Sequence, residues 1–295
     1  EAVGARALQA RGHTVGVLAR LRAGGPLAWA NAIRRRLVPT VRVPSDHAMG
    51  YPVFRGPGTI PDVTEVVARF RPDVAVVLPG HPVPMLQRCL ALGVPTVLYQ
   101  QDVLFDELGG VLAPDPRLAV VANSRFTASR LESRFGVHAD VFPPFVDAER
   151  YRVAPRGREV LFVGLVAMKG VEVAFRIAES RRDIPFVFVE SWPLPRETFE
   201  SLRRRAAALG NVTVRRGVRD MRTLYRRARV LLVPSQVDEA WGRVVTEAQA
   251  SGIPAGGAPL RFSLLKHGTD RGAGKDVVEL LEQQRSPVGG RCLRQ

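Results

Sequence analysis

The sequence is poor in cysteine and has no long apolar run. Two cysteines, Cys89 and Cys292, occur among 295 residues, and this number excludes a disulfide framework and a cysteine-based zinc site. We therefore expect a reducing, cytoplasmic environment, and the start of the sequence has no secretory leader pattern. The longest apolar run spans residues 160–168, far fewer than the roughly 20 residues of a membrane-spanning helix. Any membrane contact is therefore expected to be peripheral.

Lysine is also scarce, and arginine takes its place. Of the 43 basic residues only three are lysine, and the formal net charge is +15. Residues 203–229 contain ten arginines and a single acid, Asp220. Such a surface attracts phosphate groups, and three interpretations stay open: a solvated arginine-rich surface, contact with anionic lipid, and binding of nucleic acid. Nucleic acid is the least favoured partner, because the sequence has no zinc-finger spacing and no aromatic RNA-binding signature.

Short apolar strands alternate with amphipathic helices in the first half of the sequence. This alternation predicts a parallel sheet covered by helices on both faces, and hence the α/β class. The predicted helices span residues 1–11, 63–70, 84–92 and 124–135, and the predicted strands span 13–18, 74–78, 94–99 and 118–122.

A polar stretch at 147–158 interrupts the pattern, which then starts again. The second series predicts strands at 159–163, 186–190, 212–215 and 230–233 and helices at 170–180, 195–209, 221–228 and 242–250. We predict two doubly wound domains, 1–152 and 158–254, followed by a divergent tail, 255–295. Ligands of such sheets bind at the carboxyl ends of the strands, so a site is expected in a cleft between the domains.

The segment at 234–248 follows a predicted buried strand and opens a helix. Gly242 allows the backbone to approach a ligand closely, and free N–H groups at a helix start attract phosphate or sugar oxygens. The carboxylate of Glu247 offers two acceptor oxygens, which suits the adjacent hydroxyls of a ribose. The residues alone leave open that Glu247 is an exposed helix acid and that Glu239 belongs to a capping turn.

This segment resembles the E-x7-E region of the retaining glycosyltransferases of family 4, which have the GT-B fold of two Rossmann-like domains facing a cleft. The shared residues are a Pro-Ser pair, two glutamates and several small residues, namely Pro234, Ser235, Glu239, Gly242, Glu247, Ala248, Gly252, Ile253 and Pro254. The resemblance implies that Glu239 and the backbone of Gly242, Arg243 and Val244 hold the donor sugar and its phosphates. It implies that Glu247 holds the nucleotide ribose.

Residues 162–171 resemble the strand, glycine turn and Lys-Gly pair that open the donor domain of this family. The resemblance places Gly164 in the turn and Lys169 at the donor diphosphate, where a cation stabilises charge that develops on the departing nucleotide. Many members have an arginine after the glycine, and Leu165 stands there in this sequence. Met168 likewise replaces the glutamate that precedes Lys-Gly in one subgroup.

The first half of the sequence resembles the acceptor domain. Residues 95–103 are similar to a strand that usually ends in His-Asp, with Gln101 in the place of the histidine and Asp102 after it. Residues 121–126 are similar to the Asn-Ser turn before the last acceptor-domain helix, and His81 follows the predicted strand at 74–78. We therefore expect His81, Gln101 and Asp102 on the acceptor side.

Both ends of the sequence depart from the family pattern. A doubly wound domain should open with a strand and a glycine-rich turn, whereas this sequence begins within its first predicted helix. After Pro254, a Gly-Gly-x-Pro-Glu loop is expected, but the tail differs, and within it only residues 276–284 have a helical pattern. These departures predict a fragment, or a reading-frame shift near residue 255, and low activity for the chain as it stands.

The resemblance implies a retaining, hexosyltransferase-like enzyme that moves a sugar from a nucleotide-diphosphate sugar to an acceptor, without a metal or another cofactor. We expect an acceptor of the cell envelope or of a polysaccharide, lipid-linked or saccharide, and peripheral contact with the anionic inner face of the membrane. Two alternatives stay open. One is a sugar-nucleotide epimerase of the same fold, and the other is a truncated, inactive protein that binds a nucleotide.

Overall fold

The computed structural model describes residues 2–20, 26–37, 42–56, 59–144 and 146–257. The helix predicted at 276–284, and the part of the predicted tail after residue 257, lie outside these residues. The chain divides into two compact units. The described part of the first unit ends at Pro144, and the second unit begins at Val146.

The first unit contains five helices and seven strands among its described residues. The helices are α1 (Ala2–Ala10), α2 (Pro26–Leu37), α3 (Ile60–Phe70), α4 (Pro82–Ala91) and α5 (Arg125–Phe135). The strands are β1 (Val17–Arg20), β2 (Ser45–Asp46), β3 (Val53–Gly56), β4 (Ala75–Val77), β5 (Thr96–Gln100), β6 (Leu118–Ala122) and β7 (Asp140–Val141).

These strands form two sheets rather than the single parallel sheet that the alternation predicts. The sheet β4-β5-β6-β7 is parallel throughout, as expected. The second sheet, β1-β3-β2, pairs β1 with β3 in parallel but β2 with β3 antiparallel. The connection from Asp46 to Val53 is a short turn in which Gly50 has a φ of 85°. A connection this short cannot make the crossover that a parallel pair requires.

The second unit contains one parallel sheet with the strand order β10-β9-β8-β11-β12. Its strands are β8 (Glu159–Val163), β9 (Phe186–Val189), β10 (Val212–Arg215), β11 (Ala228–Leu232) and β12 (Ala255–Gly256). Its helices are α6 (Ala148–Tyr151), α7 (Val171–Ser180), α8 (Arg196–Leu209), α9 (Arg222–Tyr225) and α10 (Arg243–Gln249). The predicted strands 159–163 and 212–215 are confirmed to the residue.

Alternate residues of the central strands enter two separate cores, one on each face of this sheet. Phe162 and Phe188 pack on one face with α7 and α8, whereas Leu161 and Val187 pack on the other. The polar stretch predicted at 147–158 also belongs to the second unit, which begins at Val146. Several contacts attach it, among them the edge-on packing of Tyr151 against Tyr225, at a centroid distance of 6.5 Å, and a hydrogen bond of 3.1 Å from the amide of Val153 to Ser251 Oγ.

Parallel pairing fixes where the loops of the second unit meet. Because β11 pairs directly with β8, with Leu232 opposite Phe162, the two strands end side by side. The loop that follows β8 and the loop that follows β11 therefore leave the same edge of the sheet as neighbours.

We expect Phe188→Ala to destabilise the second unit. Phe188 is fully buried and makes edge-to-face contacts with Phe175, Phe162 and Phe186 at centroid distances of 5.0, 5.2 and 6.1 Å. Removing such a ring should lower the free energy of unfolding by about 3–5 kcal/mol, measured by urea denaturation. Phe142→Ala, at a position 62% exposed, is the control. A loss below about 1 kcal/mol for Phe188→Ala would contradict a tightly packed core.

Candidate active site

Gly170 allows the loops after β8 and β11 to approach each other, and Gly164 leaves room for the side chain of Lys169 within the first of these loops. Gly170 has a φ of 81°, and a Cβ atom at this position would lie 2.0 Å from the carbonyl oxygen of Pro234. Gly164 has a φ of 114°, and a Cβ atom there would lie 2.8 Å from the Cγ atom of Lys169. The amide of Gln236 also donates to the carbonyl oxygen of Met168 at 2.9 Å. The two loops thus form one backbone framework, which any side chain at residue 170 would disrupt.

This framework brings Lys169 and Glu239 together. Lys169 Nζ donates to Glu239 Oε2 at 2.5 Å, and Ser235 Oγ donates to the same oxygen at 3.4 Å. The side chains are 21% and 23% exposed, so the pair is partly desolvated and still open to a ligand. The ring of Trp192 lies 6.0 Å from Nζ. An incoming anion could therefore exchange for Glu239 as the partner of Lys169.

The pair borders a cavity of about 190 Å³ at the carboxyl end of the sheet. The cavity is lined by the ends of β8 and β11, the loops that follow them and the start of α10, together with Ser191 and Trp192. Five residues predicted for the donor site are among its lining, namely Lys169, Glu239, Gly242, Arg243 and Val244. Gly164 forms the turn beside Lys169.

Glu247 lies next to this cavity and not in its lining. It is 4% exposed, so the alternative that it is an exposed helix acid is wrong. Tyr225 OH donates to Glu247 Oε2 at 2.8 Å, and Arg243 Nε donates to Oε1 at 2.8 Å. Arg243 also donates to the hydroxyl of Tyr151 at 3.3 Å. Each carboxylate oxygen has two lone pairs, so both still have acceptor capacity for a ligand hydroxyl.

Tyr225 is the residue that holds Glu247, and the sequence analysis missed it. Burial, together with the negative charge of Glu247, raises the pKa of Tyr225 above its ordinary value. The phenol therefore keeps its proton and donates. The sequence signal was faint, because Tyr225 ends a four-residue helix, α9, whose periodicity is too short to show a buried face.

Glu190 and Trp192, in the loop after β9, were also missed. Glu190 is 7% exposed and accepts from the amide of Leu194 at 2.7 Å, from Arg216 at 2.6 Å and from the amide of Gly217 at 3.4 Å. Burial alone would raise the pKa of Glu190, but these hydrogen bonds outweigh it and hold the pKa below its ordinary value. Glu190 thereby fixes the loop that presents Trp192, 52% exposed, beside the cavity.

The residues predicted for the acceptor side lie in the first unit, where β4 and β5 end as parallel neighbours. His81 is exposed, has a left-handed φ of 58° and precedes α4. Gln101 is exposed, and its carbonyl oxygen accepts from Asn123 at 2.7 Å. Asp102 Oδ1 accepts from Gln100 at 2.8 Å, and burial raises the pKa of Asp102. All three residues therefore follow the carboxyl edge of one sheet.

Among the described residues, no group of three or more His, Cys, Asp or Glu side chains could hold a metal ion. None of the described helices is long and apolar enough to cross a membrane.

Two family models match adjoining parts of the chain. The model "Glycosyltransferase Family 4" matches residues 5–150, and the model "Glycosyl transferases group 1" matches residues 148–255. The chain belongs to the GT-B glycosyltransferases. The group 1 match contains every residue predicted for the donor site of this glycosyltransferase, and the family 4 match contains the three acceptor-side residues.

Solved glycosyltransferase structures share the fold. A glycosyltransferase from Rickettsia africae ESF-5 matches with a TM-score of 0.62 at 13% identity, over 86% of this chain and 73% of that chain. HepE from Anabaena, in complex with UDP-glucose, gives a TM-score of 0.59 at 17% identity, over 81% of this chain and 72% of that chain. WaaG, a glycosyltransferase involved in lipopolysaccharide biosynthesis, gives a TM-score of 0.57 at 14% identity, over 82% of this chain and 80% of that chain. No curated protein matches the chain.

We expect Tyr225→Phe to lower the stability of this glycosyltransferase. The change leaves Glu247 Oε2 buried without the hydroxyl that donates to it, at a cost of about 1–3 kcal/mol in the free energy of unfolding. Tyr151→Phe is the matched control, because its hydroxyl accepts a longer bond, 3.3 Å, from an arginine that keeps Glu247 as a partner. Equal losses in the two variants, measured by urea denaturation, would contradict a specific Tyr225–Glu247 bond.

The stabilisation by Glu190 should depend on pH. Because the folded state holds the pKa of Glu190 below its ordinary value of 4.5, the unfolded state binds the proton more readily. This stabilisation is therefore present above pH 4.5 and is lost as the pH falls through the lower, folded-state pKa. We expect Glu190→Gln to lower the melting temperature at pH 7 and the difference from the parent to shrink below pH 4.5. Glu200→Gln is the control, because this glutamate lies on α8 with its side chain 39% exposed. A difference in melting temperature that stays constant with pH would contradict a stabilising role of ionised Glu190.

Proposed function

We propose that this glycosyltransferase transfers a sugar from a nucleotide-diphosphate sugar to an acceptor hydroxyl with retention of configuration. In this reaction the bond from the anomeric carbon to the diphosphate oxygen breaks, and a bond to the acceptor oxygen forms. The acceptor proton is released with the nucleoside diphosphate. The Lys169–Glu239 pair beside the cavity is the observation that supports this proposal most strongly.

Lys169 would bind the donor diphosphate. Its present partner, Glu239, has a single negative charge, whereas a diphosphate offers several oxygens and more charge. The diphosphate would therefore displace Glu239 from Lys169. The lysine would then stabilise the charge that builds on the departing diphosphate, an effect that preorganised charges provide strongly in a partly desolvated site. The proposal assigns no metal to this step.

Glu239, once displaced, would accept hydrogen bonds from the hydroxyls of the donor sugar. The backbone of Gly242, Arg243 and Val244 lines the same cavity and would contact the sugar and its phosphates. Gly164 and the turn that it forms would leave room for the diphosphate beside Lys169. The complex of HepE with UDP-glucose supports a nucleotide-sugar donor for a protein of this fold.

Glu247 would hold the ribose hydroxyls, although it does not line the cavity. Tyr225 and Arg243 fix its two oxygens with one hydrogen bond each. A small movement of Arg243, whose side chain is 62% exposed, would open Oε1 toward the cavity. Arg243 would then act as a cover over the ribose site.

His81, Gln101 and Asp102 would face the acceptor. We propose a cytoplasmic enzyme that acts on a cell-envelope or polysaccharide acceptor, and the role of WaaG in lipopolysaccharide biosynthesis supports this class. An acceptor of this kind, if lipid-linked, would bring the enzyme into peripheral contact with an anionic membrane.

Replacement of Lys169 tests the donor site. Lys169→Met should weaken the binding of nucleoside diphosphates by at least about tenfold in calorimetric titration and slow transfer by about 10²–10³-fold. Lys169→Arg keeps the charge and should recover part of the binding. Arg205→Gln removes a cation that is paired with Glu172 on α7 and serves as the control for lost charge.

The titration should use uridine, guanosine and adenosine diphosphates in parallel. Transfer should be followed by release of the nucleoside diphosphate, and the anomer of the product by proton NMR. If Lys169→Met binds every nucleoside diphosphate as tightly as the parent, the donor site is wrong. An inverted product would overturn retention and leave the donor site standing.

A further inference from the structure

Helix α2, at Pro26–Leu37, exposes apolar side chains where a helix of a globular domain usually exposes polar ones. Trp29 and Leu37 are each 74% exposed, and Ile33 is 42% exposed. These residues are spaced four apart, so they form one stripe along the helix. Ala30, Ala32 and Arg36 are the other residues of α2 known to be exposed. Arg36 is thus the single polar residue on the described exposed face.

The chain segment that contains this stripe has charge of one sign. Residues 34–36 are all arginine, and α2 contains no acidic residue. The acid-free segment extends well beyond the helix: residues 2–45 contain eight arginines and neither aspartate nor glutamate. An exposed apolar stripe with arginines beside it is the pattern of a helix that lies in the plane of a membrane interface.

We propose that α2 is the membrane-docking element of this protein and that its partner is the surface of a bilayer with anionic head groups. Trp29, Ile33 and Leu37 enter the boundary between head groups and acyl chains. Tryptophan is favoured at this depth because its ring is apolar and its N–H is polar. The exposed Arg36 extends to the phosphates with its apolar stem along the interface.

The dimensions of α2 suit a helix that lies on the bilayer. Its 12 residues span about 18 Å at 1.5 Å per residue, less than the roughly 30 Å of the hydrocarbon core. The described apolar side chains, Trp29, Ile33 and Leu37, lie along one side of the helix and can enter the interface together. Peripheral docking follows from this geometry.

Charge favours a lipid surface over a second copy of the chain. If two copies paired through α2, the arginines of both would meet, with no acid in residues 2–45 to neutralise them. A surface of phosphate head groups is negatively charged and would pair with the arginines of α2. This proposal is independent of the donor site, since α2 lies in the first unit and the candidate donor residues lie in the second.

The arginine cluster at 203–229 is the competing lipid contact, and the structure favours α2 over it. Several of these arginines already have acidic partners: Arg205 pairs with Glu172, Arg216 with Glu190, and Arg222 with Asp220. None of the large apolar side chains within residues 203–229 is exposed: Leu224 and Tyr225 are buried, and Leu209 and Met221 are partly buried. The cluster therefore lacks the apolar component that insertion needs.

Vesicle co-sedimentation of the full chain tests the proposal. The probe is a vesicle of phosphatidylcholine with one third phosphatidylglycerol, compared with phosphatidylcholine alone. We expect preferential binding to the anionic vesicles and a blue shift of tryptophan emission on binding. The double variant Trp29→Ser/Ile33→Ser should reduce partitioning by about tenfold or more, and Arg36→Gln by about fivefold.

Two variants serve as controls, one for the loss of an apolar side chain and one for the loss of an arginine. Val111→Ser removes an apolar side chain of the first unit that is 80% exposed, and Arg204→Gln removes an exposed arginine of the competing cluster. Both should bind vesicles as the parent does. Circular dichroism and the melting temperature should show that all variants fold.

Three results would overturn the proposal. The first is equal binding of the parent to both kinds of vesicle, or none to either. The second is a loss for Arg204→Gln as large as that for Arg36→Gln, which would move the contact to the arginine cluster. The third is a parent that is a dimer in light scattering while the double variant is a monomer, which would make α2 an interface between copies. If the protein binds vesicles as expected but transfers no sugar, the result contradicts the proposed function and leaves the docking proposal standing.

Discussion

The parallel pairing of β8 with β11 is the interaction on which the candidate active site depends. It ends two strands side by side and forces the loops that follow them to share a small space. That space is available only because residue 170 is a glycine whose missing Cβ would otherwise overlap the carbonyl oxygen of Pro234. Lys169 and Glu239, 70 residues apart in the chain, meet as a consequence.

The charged side chains of the candidate site are paired with one another within the protein. Lys169 is neutralised by Glu239, and Glu247 by Arg243 with help from the hydroxyl of Tyr225. A partly buried charge without a partner would be costly. A donor with a diphosphate and ribose hydroxyls would replace internal partners rather than fill unsatisfied groups, so binding would be an exchange of hydrogen bonds.

The surplus of arginine has different consequences in the two units. In the second unit three arginines of the 203–229 cluster pair with acids, and no large apolar side chain within this cluster is exposed. In the first unit the arginines beside α2 accompany exposed apolar side chains and an acid-free segment. The same residue type therefore favours water in one place and a phosphate-bearing interface in the other, and local apolar exposure makes the difference.

The sequence by itself determined the α/β class and the position of most strands and helices of the second unit, because alternating apolar residues and capping signals are local properties. The similarity at 234–248 also indicated the family. Tertiary structure alone decided the antiparallel β2–β3 pair, the burial of Glu247 against Tyr225, and the Lys169–Glu239 bond. The Tyr225–Glu247 and Lys169–Glu239 bonds join residues 22 and 70 positions apart in the chain, and periodicity describes only near neighbours. Strand pairing determines which distant residues meet.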